Sequence, residues 1–200
     1  MNHQAQSFFG TPVGQRQVVL DLPQYARLVD RSDLGCVLVS CAVNAPEVAP
    51  ACSEALGLDL PLEPGQTSQG GGAVALWLTP RSWLVQCAIE DEGQLADAVN
   101  RAFADRTASA ALYSDALAWL ELQGPGAWDL LTEGAFVSLE QDGLAVAHAK
   151  RTLVAGIPAV VLRSGDTQWL LGVERSRARY FVERLGAVAR TCATGMRISP

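Results

Sequence analysis

Ala75-Leu76-Trp77-Leu78-Thr79-Pro80-Arg81-Ser82-Trp83-Leu84-Val85 lies over Val160-Val161-Leu162-Arg163-Ser164-Gly165-Asp166-Thr167-Gln168-Trp169-Leu170-Leu171. Each stretch is an apolar run, a turn built on proline or glycine, and a second apolar run, which reads as a β-hairpin. Trp83 and Trp169 stand at the same place, just past the turn. Working outward, the first copy opens on Leu34–Cys41, a buried-strand run. Asn44, Pro46 and Glu47 then look like a capping-box helix start. That helix runs to Leu56 and stops at Gly57. After the loop Leu58–Gly72 and the first hairpin, Glu90, Asp91 and Glu92 open a helix with Leu95, Val99 and Ala102 on one face. The second copy opens with Ala108–Tyr113 and Ala116–Leu122. Gly124-Pro125-Gly126 leads into a short helix with Trp128, Leu130 and Leu131. A loop over Ala135–Leu144, a partly strand-like run Ala145–Leu153, the second hairpin and a helix bearing Phe181, Leu185 and Ala189 complete it. Both halves run strand–helix–strand–strand–helix, close to the split β-α-β unit. The expected fold is α+β, with two similar ferredoxin-like halves fused into one domain and helices packed on antiparallel-rich sheets. Residues 1–17 are expected as a flexible arm, and 18–200 as a single domain of two pseudo-repeats, about 34–107 and 108–190.

The chain has 200 residues, 49% apolar and 18% charged, enough for a core without disulfides or metals. Fifteen basic against 21 acidic residues give a net charge of -6, which argues against general nucleic-acid binding. No apolar run is long enough to span a bilayer, and the N-terminus lacks a signal-peptide layout. Cytoplasmic localisation is therefore the expectation. Cys36, Cys41, Cys52, Cys87 and Cys192 form an odd, scattered set without a Cys-x-x-Cys pair, a poor disulfide framework and a poor zinc site. Cys36, Cys41 and Cys87 read as small buried hydrophobes.

Catalytic constellations are not found. A catalytic base needs a positioned partner, and a lone His148 near a strand reads as an ordinary surface or satisfied residue; His3 lies in the arm. Gly-x-x-x-x-Gly-Lys and Gly-x-Gly-x-x-Gly loops do not occur. Gly70-Gly71-Gly72 precedes a strand, and Gly124-Pro125-Gly126 reads as a routine helix opening. The tryptophans Trp77, Trp83, Trp119, Trp128 and Trp169 read as core or interface anchors. One feature breaks a local rule: Arg175, Arg177 and Arg179 cluster where the last helix begins, against its dipole. Either they are simply solvated, or they meet an acidic surface or an anion; the second alternative makes them a candidate partner interface. No catalytic, cofactor-binding or metal-binding residue is assigned.

These residues also carry a family resemblance. Leu-Trp-Leu-Thr-Pro-Arg-Ser-Trp-Leu-Val (76–85) resembles the Leu-Trp-Leu-Gly-Pro-Asp-Glu-Trp-Leu-Leu signature of the gamma subunits of heterotetrameric sarcosine oxidases. Leu120-Glu121-Leu122-Gln123-Gly124-Pro125-Gly126-Ala127 is similar to the matching segment of that family and of the glycine-cleavage aminomethyltransferases. Ile157–Leu162, Trp169 and Arg177-Ala178-Arg179-Tyr180 extend the likeness, which runs from about Leu34 to Ala189. Ala147–Thr152 departs from the family's Cys-Ala-Gln-Thr-like run. The resemblance implies a fold like the N-terminal folate-binding domain of aminomethyltransferases. It implies a non-catalytic accessory subunit that binds no cofactor itself. Its partners would be alpha, beta and delta subunits, and the complex would use FAD, FMN, NAD and tetrahydrofolate. That complex demethylates sarcosine or a related N-methyl amino acid oxidatively, giving the amine, hydrogen peroxide and methylenetetrahydrofolate. Two alternatives stand beside it: a stand-alone folate-binding, aminomethyltransferase-like protein, and an unrelated interaction module.

Overall fold

Alternation in Ala26-Arg27-Leu28-Val29-Asp30-Arg31 buries Ala26, Leu28 and Asp30 on one face, the period-2 pattern of a strand. A computed structural model describes residues 6–104, 107–134 and 144–196. His3, the side chain of Cys192 and the loop expected over 135–144, all but Leu144, lie outside the described residues. In chain order the elements are β1 (Arg16–Leu22), β2 (Ala26–Arg31), β3 (Leu34–Cys41), α1 (Ala45–Leu56), β4 (Thr67–Gly70), β5 (Ala73–Thr79), β6 (Ser82–Ala88) and α2 (Glu92–Ala102). Then follow β7 (Ala108–Leu112), β8 (Leu117–Gln123), α3 (Ala127–Gly134), β9 (Ala149–Val154), β10 (Ile157–Gly165), β11 (Gln168–Glu174) and α4 (Ala178–Met196).

The chain divides into two units. One, Asp33–Asp115 with Ala147–Ala149, holds an antiparallel sheet ordered β4-β5-β6-β3-β7. Its core sets Val37, Val39, Trp83 and Val85 of the sheet against Val48, Cys52 and Leu56 of α1 and Ala96 and Val99 of α2. The other unit holds the sheet β1-β2-β8-β11-β10-β9. There Leu120, Leu122, Val161, Trp169 and Leu171 pack with Leu130 and Leu131 of α3 and Phe181 and Leu185 of α4. Two similar α+β halves are thus present, and β6 with Trp83 matches β11 with Trp169. Both tryptophans are fully buried, each in its own core.

Repeat boundaries differ from the sequence reading. Ala108–Leu112, taken above as the opening of the second copy, pairs with β3 in the first sheet. Conversely β2, which immediately precedes β3, pairs with β8 in the second. The strand before β3 thus pairs in the second sheet, and the strand read as opening the second copy pairs in the first. An apolar strand run announces that a strand will form but not which strand it will pair with, so sequence order alone misplaced this boundary. β2 and β4 were not expected at all; Asp30 at an inward position hides the alternation of β2.

The expected capping box is also modified. Asn44 makes no side-chain cap; its Nδ2 instead donates to Glu47 Oε1 at 2.7 Å. The predicted stop holds: Gly57 adopts φ 69° and donates to the Ser53 carbonyl at 2.9 Å.

Edge strand β7 has neither charge nor proline, so its outer edge is open to pairing with another chain. Asn100 of α2 closes it. Its Nδ2 donates to the Ala110 carbonyl and its Oδ1 accepts the Ala110 N–H, both at 2.9 Å. Asn100→Ala should lower stability by about 1 kcal/mol, since water replaces much of an exposed bond. It should also raise concentration-dependent light scattering. A urea midpoint and scattering both equal to those of the unaltered chain would show that this cap does nothing.

Candidate functional site

Glu174 ends β11, and Arg175–Arg177 then form a 3-10 turn before α4 begins at Ala178. This turn places the three predicted arginines at one corner. Arg175 Nη2 donates to the Gln6 carbonyl at 3.0 Å. The Arg179 guanidinium lies 5.4 Å from the Phe8 ring centroid, a cation–π distance. Arg177 pairs with Glu174 at 3.2 Å, both side chains about half exposed. Two of the three arginines therefore grip the N-terminal segment.

That segment, expected as part of a flexible arm, is fastened at several further points. Ser7 Oγ and Thr11 Oγ1 donate to Asp30 Oδ2 at 2.5 and 2.6 Å, and Asp30 is only 2% exposed. Gly14 N–H donates to the Ser32 carbonyl at 2.9 Å, and Phe9 packs on the core. A buried carboxylate needs hydrogen-bond donors, and the segment's two hydroxyls supply them. The Gly- and Pro-rich composition of the segment gave no sign of this. The one available signal was Asp30, a charged residue on the apolar face of β2.

A second feature sits at the β8–α3 corner. Gly124 has φ 120°, and its N–H donates to the Thr167 carbonyl at 3.1 Å. Gly126 N–H donates to the Tyr25 carbonyl at 2.8 Å, and Ala127 N–H to the Gly124 carbonyl at 3.1 Å. These backbone donors are spent inside the protein, as a routine helix opening requires. A cavity of about 380 Å³ beside them is lined by Tyr25, Arg27, Gln123, Thr167 and Gln168, among others. Its lining mixes polar and apolar residues, and Arg27 faces Asp21 at 3.7 Å.

Thiol chemistry is suppressed at Cys52 and Cys87. Burial, then the neighbouring Cys41, pushes the Cys52 thiol up to about 11. Burial, then the charges of Glu92, Asp91 and Glu90, pushes Cys87 up to about 12. Near neutral pH both are protonated and poor nucleophiles. Among the described residues, no three His, Cys, Asp or Glu side chains gather to hold a metal ion, and no helix is long and apolar enough to cross a membrane. His148 is exposed, with its backbone bridged to Gln66.

A family model described as the sarcosine oxidase gamma subunit family matches residues 41–190. The chain belongs to that family. A curated relative, sarcosine oxidase subunit gamma of Corynebacterium sp. (strain P-1), is 32% identical over 123 residues. That match covers 60% of this chain and 59% of the relative, under two thirds of its length. Among solved structures, a chain of heterotetrameric sarcosine oxidase from Corynebacterium sp. U-96, in complex with pyrrole 2-carboxylate, superposes with a TM-score of 0.76 at 22% identity, covering 86% of this chain and 87% of that one. Glycine cleavage system aminomethyltransferase T from Bartonella henselae gives a TM-score of 0.61 at 14% identity, covering 90% of this chain and 52% of that one. Both share the fold. In this gamma-subunit family member the motif at 76–85 spans the β5–β6 hairpin, and the motif at 120–127 spans the β8–α3 corner. Glu121 of the second motif pairs with Arg31 at 2.7 Å, both side chains largely buried. The motif residues serve packing and turn geometry.

Proposed function

We propose that this chain is a non-catalytic accessory subunit of a sarcosine-oxidase-type complex. The observation that carries the reading is membership of the gamma-subunit family over residues 41–190. The shared fold with a chain of a heterotetrameric sarcosine oxidase supports it. In this reading the partners are alpha, beta and delta subunits, which hold FAD, FMN and NAD and use tetrahydrofolate. The complex oxidises the N-methyl group of sarcosine or a related N-methyl amino acid. Residues 18–200 act as one domain, and Arg175, Arg177 and Arg179 add positive charge to a partner-facing corner that also carries residues 6–11.

The purified chain should show no flavin absorbance and release no hydrogen peroxide from sarcosine. Its titration with tetrahydrofolate should give no heat of binding. Micromolar folate binding by the isolated chain would instead favour a stand-alone aminomethyltransferase-like role. The solved aminomethyltransferase T is about twice the matched length, since the chain covers 52% of it. Arg175→Glu with Arg179→Glu should weaken co-purification with the flavoprotein subunits. Unchanged recovery would remove these arginines from the interface and leave the subunit reading standing.

A further inference from the structure

Charge is divided unevenly along this chain. Asp33–Asp115 with Ala147–Ala149 carries eleven acidic residues and three arginines, a net of -8, while the rest of the chain nets +2. Between Arg31 and Arg81 there is no lysine or arginine, but there are Asp33, Glu47, Glu54, Asp59 and Glu63. Four of these five fall on α1 and the segment that follows it. There α1 and residues 57–62 enclose a groove of about 580 Å³. Its floor is apolar, with Pro46, Ala49, Pro50, Leu58, Leu60 and Leu62. Leu62 is 47% exposed.

The groove is held rigidly. Leu60 N–H donates to Ser53 Oγ at 3.0 Å, and Trp83 Nε1 donates to the Pro61 carbonyl at 2.6 Å. The Ser68 hydroxyl donates to the Asp59 carbonyl. A surface fixed before binding loses little entropy on binding. An apolar floor with the Glu54 and Asp59 carboxylates at its rim fits one kind of occupant.

We propose that this groove docks a segment of a larger partner subunit that presents an apolar side chain flanked by arginine or lysine. The proposal rests on the accessory-subunit reading and names the face and the chemistry of the contact. A second copy of this chain is a poor occupant, because the same acidic rim would meet itself and like charges across an interface are costly.

The test is co-expression with the alpha, beta and delta subunits, using Leu62→Asp and, separately, Glu54→Lys with Asp59→Lys. All three positions are exposed, and thermal melts check that the variants fold. Each should lower recovery of the partners by about tenfold or more: Leu62→Asp sets a carboxylate against the partner's apolar side chain, and the lysine pair reverses the charge of the rim and adds repulsion. Carbodiimide labelling of the unaltered chain needs no variant: Glu54 and Asp59 should be labelled in the isolated chain and protected in the complex. Full recovery with the variants, or unprotected carboxylates in the complex, would overturn the groove assignment while leaving the subunit reading intact. A change confined to self-association would likewise overturn it. If the unaltered chain recovers no partner, the subunit reading fails and this assignment fails with it.

Discussion

Trp83→Ala should destabilise the Asp33–Asp115 unit by about 4 kcal/mol, the usual range for emptying a buried aromatic site. Trp83 is fully buried among Val39, Val85 and the helices α1 and α2. Its loss leaves a cavity that the surrounding strands cannot close, because β6 is paired on both sides, with β5 and β3. It also strips the Pro61 carbonyl of its indole donor. Trp83→Phe separates the two contributions. It keeps most of the volume and loses the bond, so it should cost about 1–2 kcal/mol. Urea unfolding followed by circular dichroism measures both. Equal costs for the two variants would show that the hydrogen bond carries the effect and the packing little. The Phe variant should also loosen the 57–62 segment, raising amide exchange at Leu60.

Gly124→Ala should be nearly as damaging, at about 3 kcal/mol, because backbone strain and overpacking act together there. A Cβ at Gly124 would come within 2.6 Å of the Tyr25 carbonyl oxygen, at φ 120°. The oxygen accepts the Gly126 N–H at 2.8 Å, and Ala26 behind it pairs with Leu22 of β1, so neither can move without breaking these contacts. Gly126→Ala meets a different obstacle: its Cβ would fall 2.1 Å from Cε2 of the Tyr25 ring, which is a side chain. A double-mutant cycle with Tyr25→Ala tells them apart. The Gly126→Ala penalty should shrink in the Tyr25→Ala background, whereas the Gly124→Ala penalty should not. Equal coupling at both positions would contradict this account of the corner.

Much of the fold was legible because local chemistry set it. The hairpin turns, the Gly57 stop and the apolar face of α4 each follow from a few neighbouring residues, and each formed about where it was read; on α2 Val99 is buried as expected, but Ala96 is buried beside it and Ala102 is exposed. The exchange of β2 and β7 between the sheets was not legible, since pairing partners lie about 90 residues apart in β2–β8 and about 70 in β3–β7. The arm's docking was hidden for the same reason: Ser7 and Thr11 become meaningful only once Asp30 is known to be buried. Arg175, Arg177 and Arg179 stand out in the sequence as basic residues where the last helix begins. The structure supplies the reason for two of them, a grip on Gln6 and Phe8. The apolar groove at α1 escaped notice because it is made by the return of the 57–62 segment along the helix. Only the missing basic residues between Arg31 and Arg81 were visible beforehand.

Native mass spectrometry after co-expression with the proposed alpha, beta and delta partners tests the central claim most directly. The account predicts an assembly containing all four chains, from which collisional activation releases a 21.2 kDa subunit without flavin. A 21.2 kDa chain found only by itself, while the other three assemble and oxidise sarcosine normally, would contradict it.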